Sequence, residues 1–232
     1  MRFIGQVLES YKEVNIGVLT CKGLKIRDSD PGLELAKSRA LREALRKIGD
    51  EPVTRHPFVS SWRELYRSFG TKPADYRPSA EALVRRAIKI GGLPVINTAV
   101  DAYNTASLRY LIPMGGFDLD RIQGDIYLRF SGGGERFTPL GPAEAEETYS
   151  GEVVYADDER ILTRRWNYRD CDETKITTET NNVVMFIDCT GEVPMETVRT
   201  ALSDLQGLLY EYCGGAYESH LVNRIDRVVD LS

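Results

Sequence analysis

The chain has 232 residues, 42% hydrophobic and 28% charged, a balance that builds a packed core. A net charge of −5 excludes a protein that coats nucleic acid by charge alone, but leaves room for a local basic face. No window approaches ~18 consecutive apolar residues, which excludes a membrane-spanning helix. The first ten residues also lack the apolar centre of a secretory signal, so a cytosolic location is expected.

The opening predicts strands at 3–8 and 14–19, two runs rich in β-branched residues. A helix follows, with Asp30 as its cap and Pro31 at the first position. Leu33, Leu41, Leu45 and Ile48 share its face, and Gly49 is the stop. A second helix is expected to start at Ser61, paired with Glu64 as a capping box, and to end at Gly70. Ser79 is expected to cap a third, with Leu83, Val84, Ala87 and Ile88 inward and Arg85, Arg86 and Lys89 outward. A fourth is read at 100–111. Strands are then expected at 125–130, 152–156, 161–166 and 183–188, with 144–159 as an acidic loop and strand edge facing water. Pro194 opens the last helix, with Val198, Ala201, Leu205, Leu208, Leu209 and Tyr212 on one stripe. Strands, helices, strands and a helix in that order favour an α+β fold over a doubly wound sheet.

Four scattered cysteines and two histidines lack the close pairing of a structural zinc site, so no metal is expected. Neither His56 nor His220 lies near a nucleophile motif. Ser131-Gly132-Gly133-Gly134-Glu135 could suggest a phosphate loop, but no helix can begin at Arg136–Gly141, and a hairpin turn is the better reading. Between Trp62 and Lys89 seven basic residues stand against three acidic ones, either a solvated helix face or a local basic surface.

What remains is a dense polar grouping. Asn97, Asp101, Tyr103, Asn104, Ser107 and Arg109 form one part, and the run from Arg164 to Asp170 forms the other. Asp101, Asn104 and Ser107 are spaced to share a helix face. Amides and guanidinium groups beside aromatics suit recognition of a polar, partly planar ligand such as a terminal nucleotide or an amino acid. A buried hydrogen-bond network that only holds the fold accounts for them equally well.

The same stretches carry a family likeness. Gly70-Thr71-Lys72-Pro73, Tyr76-Arg77-Pro78-Ser79 and the run 81–86 resemble free-standing members of the B3/B4 family. So does the run 97–137, with Val100-Asp101, Asn104, Pro113 and Phe117-Asp118 in matching register, continued by 164–170 and 174–180. That family is similar to the tRNA-editing domain of the phenylalanyl-tRNA synthetase beta chain, which the chain therefore resembles. The likeness covers the second half of the chain well and residues 1–60 poorly.

The resemblance implies a three-layer β/β/α sandwich and a single domain over 1–232. Its parts would be 1–60, a pocket-bearing core at 72–190 and a C-terminal helix at 194–214. It also implies hydrolysis, in trans, of the ester in a mischarged aminoacyl-tRNA, with no metal or organic cofactor. Asn104 would then be catalytic, holding the substrate or the attacking water. Asp101, Tyr103, Pro113, Gly115, Arg165, Asn167 and Arg169 would bind substrate, and Lys72, Arg85 and Arg86 would meet RNA phosphates. The partner would be the aminoacylated 3′ end of a tRNA.

The chain departs from the synthetase pattern at two points. Gly115 stands where bacterial synthetases have a histidine, and the strand 183–187 supplies no glutamate. These departures support a second reading, a module that binds tRNA or an amino acid without catalysis. A third is a hydrolase or sensor for a small aminoacyl-like metabolite, supported by the net acidity.

Overall fold

The computed structural model describes residues 1–141 and 143–231. In chain order the elements are β1 (Arg2–Gly5), β2 (Asn15–Lys22), α1 (Pro31–Ile48), α2 (Pro57–Ser68), α3 (Ser79–Ile90) and α4 (Thr98–Tyr110). Then come β3 (Met114–Asp118), β4 (Ile126–Phe130), β5 (Arg136–Phe137), β6 (Glu146–Glu147), β7 (Val153–Ala156), β8 (Ile161–Arg164) and β9 (Arg169–Asp170). β10 (Val183–Cys189), α5 (Met195–Cys213), β11 (Ala216–Val222) and β12 (Val228–Asp230) complete the chain.

A six-stranded sheet runs β12-β1-β4-β7-β8-β9, and a four-stranded antiparallel sheet runs β11-β2-β10-β3. Strand parity shows how they stack. On β10, Val184 and Phe186 face the six-stranded sheet and join a core with Phe3, Leu128, Tyr155 and Trp166. The alternate residues Val183, Met185, Ile187 and Cys189 face α1, α4 and α5. The architecture is therefore α+β in three layers: sheet, sheet, helices. α3 joins from the side through a smaller cluster with α1 and α4, built on Val84, Ala87, Ala40, Ala44 and Leu108.

Several helix boundaries follow the expected chemistry. The Asp30 carboxylate accepts from Gly32 N at 2.8 Å at the head of α1 and Gly49 ends it, whereas α4 starts at Thr98, ahead of the expected 100, with Asn97 accepting from Val100 N at 2.9 Å. Others differ. β1 stops at Gly5 because Val7 and Leu8, adjacent and both buried, need a turn to face the core together. α2 begins at Pro57, whose fixed φ starts the helix earlier, so Ser61 is internal and no capping box forms. Its hydroxyl instead bonds Phe58 O and Thr190. Pro78, not Ser79, sits at the cap of α3. Leu45 and Ile88 are exposed rather than inward. The acidic stretch 144–159 does not wholly face water, since Glu152 and Asp157 are buried. The two strands after α5 were not foreseen.

Two buried carboxylates, Asp101 and Glu81, tie the helices to one another. Lys37 of α1 bonds Asp101 of α4 at 3.0 Å, with both side chains almost fully buried. Glu81 of α3, fully buried, meets Arg63 of α2 and Arg85 of α3, each at 2.8 Å. Removing one partner of such a pair leaves an uncompensated charge and costs about 3–5 kcal/mol.

Candidate functional site

A cavity of about 320 Å³ opens where the two sheets meet α3 and α4. That volume lies at the small end of the range for ligand sites. α4 contributes Asn104, α3 contributes Ser79 and Arg86, and β3 contributes residues 114–117. The six-stranded sheet supplies Tyr155, Thr163, Arg169 and Asp170. β10 supplies Phe186 and Asp188, and the turn between β8 and β9 supplies Trp166, Asn167 and Tyr168.

That turn is strained. Arg165 and Trp166 both have positive φ, 50° and 66°, a conformation costing roughly 1–3 kcal/mol per non-glycine residue and found where surrounding contacts impose it. Here Glu152 imposes it. Its buried carboxylate accepts from the Arg164 guanidinium at 2.9 and 2.7 Å and from Arg165 N at 3.1 Å, while Trp166 N bonds Val153 O at 2.7 Å. The strain turns Trp166, Asn167 and Tyr168 toward the cavity. β8 therefore ends at Arg164, short of the expected 166.

Two carboxylates give the cavity its charge. Asp188 follows the parity of Val184 and Phe186, so it points between the sheets. Tyr155 OH donates to it at 2.6 Å and Asn167 Nδ2 at 3.2 Å. Asp170 accepts from Thr163 Oγ1 at 2.6 Å through Oδ1. Burial pushes Asp170 up to about 6, offset in part by that hydroxyl. Burial also pushes Asp188 to about 6, against the bonds from Tyr155 and Asn167 and the nearby Trp166 indole, while Asp170 adds repulsion. The Trp166 N–H leans toward Asp188 but completes no hydrogen bond in good geometry. At the mouth the charge reverses. Arg86 and Arg169 are exposed there, and Arg169 makes a loose contact with Glu146 at 3.9 Å.

The two glycines of β3 differ. A Cβ on Gly116 would collide with Met185 Sδ and lie 2.6 Å from Val184 O. A Cβ on Gly115 would meet only Asp170 Oδ2, at 3.9 Å. Gly116 is needed for β3 to lie against β10, whereas Gly115 leaves the cavity wall open.

Of the residues singled out from the sequence, Asn104, Gly115, Asn167, Arg169 and Arg86 come together on the cavity lining. The others lie elsewhere. Asp101 is held by Lys37 and by Ile96 N. Tyr103, its hydroxyl raised by burial and then by Asp170, packs against the core beneath the helices. Pro113 is buried, and its carbonyl accepts from Asp188 N at 3.0 Å, which fixes that aspartate's backbone. Arg165 is buried and lies 3.7 Å over the ring of Tyr76, bracing the turn from behind. Arg85 is paired with Glu81, and Lys72 is exposed on the segment joining α2 and α3. Asn167 is largely committed within the protein, since its Oδ1 accepts from Tyr66 OH at 2.9 Å. His56 and His220 are not on the lining, and the four cysteines are buried free thiols.

Sequence reading passed over Asp188, and it left Asp170, Trp166 and Tyr168 without roles. The signal for Asp188 was alternation, because it is the polar residue on the Val184–Phe186 face of an otherwise apolar strand.

Residues 61–214, more than half of the chain, match the model of the B3/4 domain, and every lining residue falls inside that span. The chain belongs to the B3/4 domain family. A stretch of 79 residues is 35% identical to the phenylalanine–tRNA ligase beta subunit of Fusobacterium nucleatum, covering 34% of this B3/4 chain and 10% of that protein. The B3/4 chain thus matches only a tenth of that relative's length. A crystal structure of an N-terminal fragment of the phenylalanyl-tRNA synthetase beta-subunit from Pyrococcus horikoshii is similar at a TM-score of 0.45 and 16% identity. That similarity covers 93% of this chain and 49% of the other. Among the described residues no helix is long and apolar enough to cross a membrane.

Proposed function

We propose that this B3/4 family member edits tRNA in trans, hydrolysing the ester between a wrongly attached amino acid and the terminal ribose. One observation carries the reading: the cavity is carboxylate-lined within, at Asp170 and Asp188, and guanidinium-rimmed at its mouth, at Arg86 and Arg169. An aminoacylated tRNA end has the opposite arrangement, a cationic aminoacyl group followed by anionic phosphates. The relative named as a tRNA ligase subunit agrees with a tRNA partner.

The chemistry asked of the protein is modest. An aminoacyl ester is already activated, so holding it beside one water supplies much of the rate. The water oxygen adds to the ester carbonyl carbon, the bond to the ribose oxygen breaks, and the proton from water leaves on that ribose hydroxyl. Asn104 holds the water or the carbonyl by hydrogen bonds, and Tyr168 offers an aromatic face to the terminal base. Arg86 and Arg169, with Lys72 and Arg85 further out, meet phosphates. Residues 1–232 act as one domain in this reading, because β1 and β2 complete the two sheets. The setting is the cytoplasm.

A second reading, binding without hydrolysis, is favoured by Gly115 and by the absence of histidine from the lining. Release of amino acid from a panel of correctly and wrongly charged tRNAs separates the two. Turnover of one mischarged species supports editing, and no release above the buffer blank leaves the binding module.

A further inference from the structure

Four features of the cavity point to one ligand group. Asp170 spends Oδ1 on Thr163, while among the described residues none donates a hydrogen bond to Oδ2. That free oxygen overlooks the space left open by Gly115, 3.9 Å from where a Cβ would stand. Asp188, the second acid, lines the same cavity and repels Asp170. Trp166, fully buried on the wall, leans its indole N–H toward Asp188 and so supplies no donor to Asp170. A desolvated carboxylate with an empty acceptor and a like charge nearby is relieved by a cation that donates hydrogen bonds. The open glycine wall leaves room there for an ammonium and its carbon.

We propose that Asp170 is the receptor for the free α-ammonium of the aminoacyl group, so that the site takes esters of free amino acids and rejects N-acylated ones, formyl-aminoacyl and peptidyl esters among them. The inference rests on the editing reading for the identity of the ester, and on the cavity alone for the amine. Acylation removes the positive charge, leaves a single neutral N–H and adds bulk beside Oδ2, so an N-acylated ester loses the charge-assisted contact. Other charged or titratable groups bearing on Asp170 are Asp188 of β10, Tyr155 of β7, Tyr103 of α4 and the neighbouring Cys171 thiol, with Arg86 and Arg169 at the mouth. The hydroxyl groups stay neutral, and Asp188 carries the same sign.

The test uses the full chain and 3′-deoxy-3′-(L-alanylamino)adenosine, whose amide resists hydrolysis and whose small side chain imposes no size selection, beside its N-acetyl derivative. Titration calorimetry at pH 7.5 should show the free amine bound about tenfold or more tightly than the acetylated probe, the loss typical of a charge-assisted hydrogen bond. D170N, which can still accept from Thr163, should bind the two probes alike. The wild-type preference should weaken as pH falls toward 5. Equal binding of both probes by the wild type, or no binding of the amine at about 1 mM, overturns the receptor. A preference for the amine in a protein that releases amino acid from no tRNA keeps the receptor and sinks editing. Equal hydrolysis of charged and N-acetylated charged tRNA keeps editing and sinks the receptor.

Discussion

Asp170 Oδ2 stands 3.9 Å from the point where a Cβ on Gly115 would begin, across open cavity. The next glycine, Gly116, has Val184 O at 2.6 Å from its own Cβ position. Neither needs positive φ, so the contrast is one of space alone.

Gly115→Ala is therefore expected to fold normally and narrow the cavity, shifting preference toward smaller aminoacyl groups. Gly116→Ala should push β3 away from β10 and cost about 1–3 kcal/mol, as overpacking does. Thermal melting of both variants checks this, and an equal loss in the two would show that Gly115 is also packed.

The two cavity acids predict a pH dependence of stability with a definite sign. Asp170 rises from an ordinary 3.8 to about 6 on folding, so between these values the folded state holds more protons than the unfolded. Stability then falls as pH rises from about 4 to about 6 and is level above that. Asp188 acts in the same direction. Asp170→Asn should remove part of the decline and be more stable than wild type at pH 8 by about 1–3 kcal/mol. Urea unfolding at pH 4 and pH 8 measures it, and a variant less stable than wild type at pH 8 contradicts the assignment.

The arginines of α3 divide by role. Arg86 stands at the cavity mouth, while Arg85 is tied to the buried Glu81. Arg86→Ala with Arg169→Ala should weaken tRNA binding and lower its salt slope by about one per lost phosphate contact. Arg85→Ala should act mainly on stability, by loosening the Glu81 cluster. Mobility-shift titrations at several salt concentrations distinguish them, and an unchanged slope in the double variant removes these residues from the RNA surface.

The order of helices and strands was largely legible in the sequence, because α1 carries a local cap and stop and several strands carry β-branched runs, while the three layers came with the family likeness. The site was less so, for reasons of partnership. The spacing of Asp101, Asn104 and Ser107 predicts one shared face of α4, but their partners separate them. Lys37, on another helix, claims Asp101, and Ile112 O claims Ser107, which leaves Asn104 to face the cavity. Positive φ at Arg165 and Trp166 contradicts local preference and is imposed from the distant Glu152. Asp188 was hidden by the apolar run before it, where only the alternation of faces marks it as inward.

The most direct measurement is release of amino acid from a panel of charged tRNAs by the wild type and Asn104→Ala. The account predicts release from a mischarged species and, with Asn104 removed, a loss of about a hundredfold, the scale of one oriented hydrogen bond to the reacting group. Undiminished release by Asn104→Ala would contradict its role, and no release from any tRNA by the wild type would contradict editing itself.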